Sequence, residues 1–541
     1  MSDNSKHIPD TSQGKRPNLI LILADDMGFS DIGCYGSEIR TPHLDRMASE
    51  GVRFSQFYNC ARCCPTRASL LTGQYPHKAG IGHMVSDDGL PGYRGFLNDR
   101  CVTLGEALHA GGYQTFYSGK WHVGGLWPRH DPSKWVLGNP NQPLAHDRGF
   151  DHSYICAAGG GSYFNPKPLV RDGKFIEIET DRYYTTDAYT DEALEYISQG
   201  AASGKPFFLH LCYQAPHWPL HALPEDIARY ENAYLKGWDH LRTSRHEELK
   251  GTGLIDRSWK ISKKDDKSPP WDETSDKEWQ ASRMAVYAAQ VDRMDQNIGR
   301  VRAHLEKLGI AGNTLVVFLS DNGGCAEFLS EDGQKQRELP FTRDGRPVRC
   351  GNVPGLLPGD ADTFSSYDLP WANASNSPFR LFKHWVHEGG ISTPLIAWWP
   401  GRIAPKQMTH EVGHVMDIMP TFLELSGVKY PRELDGREVA SVDGESLAPL
   451  LEGRRWTRQH PVFFEHEGNC AVRDGKWKLV RRFPGPWELY DMEVDRTETK
   501  DLSGKNPAKV AELATAYEAW APTANVVPWD QLQQHRKSKR H

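Results

Sequence analysis

Residues 18–26 read NLILILADD, six apolar residues in a row between Pro17-Asn18 and two adjacent acids. A run that is apolar at every position, without the alternation of a one-faced strand, belongs to a strand covered on both sides, and such strands are typical of parallel sheets. Residues 314–322, TLVVFLSDN, repeat the design and end in Asp321 and Asn322. Around these runs, residues 42–50 read as a short helix stopped at Gly51, and VRFSQFY from Val52 alternates like a strand. Met284, Tyr287, Val291, Met294, Ile298, Val301, Leu305 and Leu308 keep helical spacing up to Gly309. The alternation predicts an α/β fold with a large, mostly parallel central sheet sandwiched by helices.

At 541 residues the chain exceeds the usual size of one hydrophobic core. We expect a principal domain over 17–454, interrupted by a charged, Trp-rich surface insertion at about 223–282. After about residue 453 the pattern changes to short strand-like pieces, PVFFEHE and WKLVRRF, with turns at Gly475 and Gly485 and a helix over 507–520. This predicts a small C-terminal α+β subdomain, 455–541, with an antiparallel sheet and a solvated basic tail from Arg536. Residues 1–16 are polar and expected to be disordered. A net charge of -6 gives no global basic field, which argues against nucleic acid and anionic membranes as partners. No stretch has the length of a membrane span or the apolar core of a signal peptide, so the chain as written is expected to be cytoplasmic, or periplasmic or secreted if a leader was removed. Ten cysteines show no disulfide framework and no paired zinc-ligand spacing, and only Cys60, Cys63 and Cys64 cluster.

Ligands in open α/β sheets bind beyond the carboxyl ends of strands, so Asp25, Asp26, Asp321 and Asn322 can converge on one site. Either pair alone reads more readily as turn or helix-capping residues. Two pairs at two strand ends favour a cation, because adjacent buried carboxylates repel unless one neutralises them. The all-oxygen set, without His or Cys, points to Ca²⁺ or Mg²⁺ rather than zinc, with Mg²⁺ the lesser expectation. In CCPTRASLLTG, Pro65 suits a first helical turn and Gly73 the position past the end, which puts Cys63 and Cys64 at a helix N-terminus, where N–H groups and the dipole favour an anion. Arg67, one turn in, adds donors. The other readings of Cys63 are an ordinary buried thiol, a bridge to Cys60, or a catalytic thiolate for which the sequence offers no adjacent base.

The segment Cys63-Cys64-Pro65-Thr66-Arg67, continued by Leu70-Leu71-Thr72-Gly73, resembles the C-x-P-S/A-R signature of the formylglycine-dependent (type I) sulfatases. DDMGFSDIG at Asp25 and SNSPFRLFKHW at Ser375 resemble stretches of soluble bacterial arylsulfatases. The resemblance implies an alkaline-phosphatase-like fold and hydrolysis of sulfate monoesters. It implies a Cys63 oxidised to 3-oxoalanine (formylglycine) by a formylglycine-generating maturation enzyme, and a Ca²⁺ ion held by Asp25, Asp26, Asp321, Asn322 and the modified Cys63. GKWHVG at Gly119 resembles the family's Lys-x-His motif and brings Lys120 and His122 to the sulfate; APHWP at Ala215 brings His217, and FKHWVHEGGISTPLIAWWPG at Phe382 brings Lys383. ELYDMEVDRTETKDL at Glu488 resembles the closing hairpin.

By the family's mechanism Asp321 accepts a proton, His217 and Lys383 stabilise the leaving alkoxide, Arg67 and Lys120 hold the sulfate oxygens, and His122 helps release the product. Thr66, where Ser or Ala is commoner, and the extra thiol of Cys64 depart from the pattern. Two other functions stay open on these residues: a phosphonate monoester or phosphodiester hydrolase of the same superfamily, and an unmatured calcium-dependent binding protein. Trp127, Trp218 and Trp371 are candidates for stacking on an aromatic or sugar ring, which leaves aryl and sugar sulfates undivided.

Overall fold

A computed structural model describes residues 15–125, 132–180, 182–331, 340–434 and 436–539. Trp127 and residues 1–14 of the expected disordered segment lie outside them. The first strand is Asn18–Asp25, and all eight of its residues are buried. It lies in an 11-stranded sheet. In spatial order the strands are Gln407–Thr409, Val52–Tyr58, Ser392–Trp398, Thr314–Ser320, Asn18–Asp25, Phe207–Pro216, Gln114–Lys120, His152–Cys156, Leu169–Arg171 and Lys174–Ile176, with Gly413–His414 also paired to Val52–Tyr58. The five strands from Thr314–Ser320 to His152–Cys156 are mutually parallel. Ser392–Trp398 runs antiparallel to both of its neighbours, and the Leu169–Arg171 and Lys174–Ile176 hairpin is antiparallel too, so the sheet is mixed around a parallel centre. Buried apolar clusters cover both faces. Each fully buried Leu or Ile contributes about 1.5–3 kcal/mol, and the first strand carries five of them, Leu19 to Leu23.

Helices Pro42–Glu50, Cys63–Thr72 and Lys277–Lys307 stand where the spacing puts them, the last beginning earlier than its apolar repeat. The stretch 223–282 is not a mere surface excursion. It contains the helix Gly237–Thr252, whose Trp238 and Leu249 are buried, and Arg245 in that helix bonds Asp31 and Glu38 at 2.5 and 2.8 Å. Its core face is carried by tryptophans and paired arginines, which hydropathy scores as polar or neutral, so no apolar period shows. Trp371 is walled in by Trp238 and Trp271, with ring centroids 5.3 and 5.9 Å away, and is packing rather than a stacking platform.

The chain ends in an antiparallel sheet, Val462–His466, Asn469–Asp474, Trp477–Arg481 and Trp487–Asp491, covered by the helix Pro507–Thr523. The basic tail is docked as far as it is described: in the helix Trp529–Ser538, Arg536 donates to Asp88 at 2.7 and 3.1 Å and lies over Trp529. No described helix is long and apolar enough to cross a membrane.

A buried charge group joins the terminal sheet to the central one. Lys478 donates to Glu388 at 2.9 Å and lies 2.7 Å from Glu498, and Arg496 bonds Glu388 at 2.9 Å and reaches Ser55 O and Ser392 Oγ. Lys478, Glu388 and Arg496 are fully buried. Removing one member of such a group strands the others without water, at about 3–5 kcal/mol. Lys478→Met is therefore expected to lower stability by about that amount in denaturant melts; a change under about 1 kcal/mol would show that the joint tolerates uncompensated charge.

Candidate active site

The parallel register pairs Ala24 with Ser320, so the strands Asn18–Asp25 and Thr314–Ser320 release Asp25-Asp26 and Asp321-Asn322 side by side. Gln114–Lys120 and Phe207–Pro216 run in the same direction and bring Lys120 and His217 to the same edge. The site thus sits at the carboxyl ends of four parallel strands. Asp26 donates its N–H to Asp321 Oδ1 at 3.1 Å, and Asn322 Nδ2 donates to Asp26 Oδ1 at 2.7 Å. Lys120 Nζ bonds Asp25, and Lys383 Nζ bonds Asp26 at 2.8 Å. His217 Nε2 lies 3.4 Å from Asp26 Oδ2, while its Nδ1 is 2.5 Å from the carbonyl of Trp218.

Cys63 opens a helix whose ten residues are all buried and which closes on Gly73 at φ 68°, where the N–H of Gly73 donates to Ser69 O. The thiol is 1% exposed, its Sγ lies 3.4 Å from His122 Nδ1, and no disulfide ties it to Cys60. The base that the sequence did not show beside Cys63 is therefore His122, distant in the chain and adjacent in space. Arg67 turns three donors to the protein: Nε and Nη2 to Asp321 Oδ2 at 3.0 and 2.8 Å, and Nη1 to Lys120 O at 3.1 Å. All the residues expected at the site lie in this one region.

Burial first, then the neighbouring Asp321, pushes Asp25 well above the ordinary carboxylate range. Burial also raises Asp321, against the pull of Arg67. For Asp26, burial works upward, but Lys383 and His217 prevail and hold it low, with Cys63 a smaller opposing influence. Lys120 and Lys383 resist burial and stay cationic beside Asp25 and Asp26. Burial lowers His217 to about 3. The Cys63 thiol is pulled well below its usual value by a hydrogen bond from Cys64, then by His122 and Lys120, in spite of burial.

Asp26 at φ 63° and His122 at φ 55° hold left-handed backbone, as functional sites often do. The sequence did not reveal Arg62 and Glu327, paired at 2.8 Å, with Trp218 Nε1 donating to Glu327 at 2.8 Å. The only available signal was the position of Arg62 next to Cys63. With Cys325, Lys383, His384 and Arg482 they line a cleft of about 310 Å³. Larger hollows of about 450 and 610 Å³ near Phe364 and Ala285 lie away from the charged cluster.

Residues 17–428 match the sulfatase family model. The chain belongs to the sulfatase family. As a sulfatase it is a sulfuric ester hydrolase with an alkaline-phosphatase-like fold. Residues 379–517 also match the model for the C-terminal part of N-sulphoglucosamine sulphohydrolase. The sulfatase is 34% identical to an uncharacterised sulfatase of Schizosaccharomyces pombe, over 95% of each chain. It is 33% identical to the arylsulfatase of Klebsiella aerogenes, over 83% of this chain and 95% of that one. Among solved structures it resembles Ps i-CgsB in complex with k-i-k-neocarrahexaose, at 26% identity and TM-score 0.66, over 94% and 93% of the two chains.

Gly159 backs the His122 ring: at φ 75°, a Cβ there would lie 2.1 Å from His122 Cδ2. Gly159→Ala is expected to displace the imidazole from Cys63 and destabilise this sulfatase by about 1–3 kcal/mol, read by thermal melting and by the His122 position in a crystal structure. An unmoved ring would contradict the contact.

Proposed function

We propose that this sulfatase cleaves sulfate monoesters of aryl or saccharide alcohols to the alcohol and inorganic sulfate, with a nucleophile made from Cys63 and a Ca²⁺ ion held by Asp25, Asp26, Asp321, Asn322 and the modified Cys63. The observation that carries the reading is Cys63 at a buried helix N-terminus, 3.4 Å from His122 and beside the Asp25–Asp321 cluster. The cluster fits a cation: Asp25 Oδ1 and Asn322 Oδ1 are buried without a hydrogen-bond partner and are hard oxygen donors. Asp25, Asp26 and Asp321 are matched by Arg67, Lys120 and Lys383, so a divalent ion leaves the site positive and suited to an anionic ester. The match to the C-terminal part of N-sulphoglucosamine sulphohydrolase and the neocarrahexaose bound by Ps i-CgsB support the saccharide end of the substrate range.

A formylglycine made from Cys63 would supply paired hydroxyls on one carbon, and a cation held by Asp25, Asp26, Asp321 and Asn322 would lower the pKa of the attacking oxygen. Arg67 fixes Asp321 in place, and Asp321 accepts the proton of the nucleophile. Lys120 faces the sulfate oxygens. Lys383 and His217, both against Asp26, face the leaving oxygen, where Lys383 offsets its developing charge. His122 sits against the reactive carbon's position and takes the proton whose removal ends the cycle. The buried site excludes water from competing for these donors.

On matched nitrophenyl esters, sulfate hydrolysis is expected to exceed phosphodiester and phosphonate monoester hydrolysis; the reverse order would assign the site to the rival chemistry. Cys63→Ala is expected to remove turnover, and Lys383→Met to lower kcat by about 10²–10³-fold, the usual cost of one transition-state charge donor. Asn322→Leu is expected to weaken Ca²⁺ in calorimetric titration by more than the roughly 10–100-fold typical of outer-shell losses. Unchanged Ca²⁺ affinity would remove Asn322 from the ligand set.

A further inference from the structure

Outside the Asp25–Asp321 cluster, His83, His466 and Glu467 bring ligand atoms within 4.8 Å of one another, and His384, from a third segment, approaches the same carboxylate. His83 Nε2 lies 2.7 Å from Glu467 Oε1, His466 Nε2 lies 3.7 Å from the same oxygen, and His384 Nδ1 lies 3.4 Å from Glu467 Oε2. The rings of His83 and His466 are stacked with centroids 5.5 Å apart, and His384 stands edge-on to His466 at 5.5 Å. Tetrahedral zinc with bonds of about 2.0–2.1 Å separates its ligand atoms by about 3.3–3.4 Å, and the distances of His466 and His384 to the Glu467 carboxylate lie near that value.

An ion pair between His83 and Glu467 explains two of the four groups and leaves His466 without a role. His466 is fully buried, and neither of its ring nitrogens has a hydrogen-bond partner; His83 Nδ1 is buried and unpartnered as well. A buried imidazole is not left dry on both sides without cost. Burial pushes His466 and His384 below their ordinary range, toward the neutral form in which imidazole ligates metals. Glu467 and His384 are also held at φ 51° and 92°, so the convergence is not a product of relaxed loops. Three nitrogens and one carboxylate oxygen suit Zn²⁺, where the all-oxygen cluster at Asp25 suits Ca²⁺.

We infer that His83, His384, His466 and Glu467 form a zinc site that pins the segment carrying Lys383 to the C-terminal sheet. His384 directly follows Lys383, whose Nζ bonds Asp26, while His466 ends the strand Val462–His466. The ion therefore fixes the backbone that aims Lys383, and its ligands His83 and His384, part-exposed at 15% and 28%, give it an entry path. Asn469 Nδ2, 3.5 Å from His384 Nε2, is placed to orient that ring.

The test is metal content, independent of sulfatase activity. Chelator-treated protein with Ca²⁺ restored is titrated with ZnCl₂ by calorimetry and scored by elemental analysis, with CoCl₂ as the spectroscopic probe. Wild type is expected to bind one equivalent of zinc that Cys63→Ala/Cys64→Ala retains and His83→Ala/Glu467→Gln loses, with a rise in melting temperature and tetrahedral Co²⁺ bands only where the site is intact. The isosteric Glu467→Gln alone, checked for folding by circular dichroism, is expected to lose at least about tenfold in zinc affinity. No saturable zinc in the thiol-free variant, or equal affinity in Glu467→Gln, overturns the assignment.

Discussion

Three carboxylates, Asp25, Asp26 and Asp321, are buried together at the ends of two neighbouring strands, and the rest of the site answers the repulsion among them. Arg67 is committed to Asp321, Lys120 to Asp25 and Lys383 to Asp26. These pairings explain why a helix, a strand end and a distant loop must all arrive at one edge of the sheet. They also leave Asp25 Oδ1 and Asn322 Oδ1 buried without hydrogen-bond partners, as the proposed cation site requires. A site balanced in this way becomes electropositive once a divalent ion enters, although the whole chain carries a net charge of -6.

The parallel core was legible because its signal is local: a strand buried on both faces must be apolar at every position, and NLILILA and TLVVFLS are. The oxygen residues at the two strand ends followed from the same runs. Lys120, His122, His217 and Lys383 were legible only through family resemblance, since one lysine or histidine in a sequence carries no direction. The pairing of Cys63 with His122 depends on a left-handed backbone at His122 and an open space at Gly159, neither of which has a spacing rule. Arg62 and Glu327 are far apart in sequence and meet only after folding. The helix Gly237–Thr252 and the docked Arg536 were misjudged for one reason: a paired arginine is scored as solvated wherever its partner lies far along the chain.

The C-terminal sheet is more than an appendage to this arrangement. Glu388, Lys478 and Arg496 lock it to the central sheet only a few residues from Lys383. His83, His466 and Glu467 cluster near the same seam, and His384, the residue after Lys383, approaches Glu467 there. Charge buried at a joint penalises every alternative packing, because any displacement leaves ions unpaired out of water. The position of the Lys383 ammonium is thus set by contacts between two sheets rather than by the loop that carries it.

The account rests on Cys63 being the precursor of an oxygen nucleophile and not a thiol catalyst. Mass spectrometry of the peptide containing Cys63, taken from protein made in its native host, measures this directly. Conversion predicts loss of one sulfur and two hydrogens with gain of one oxygen at that residue, and capture by a hydrazide reagent. An unmodified thiol at Cys63 in fully active protein would contradict it.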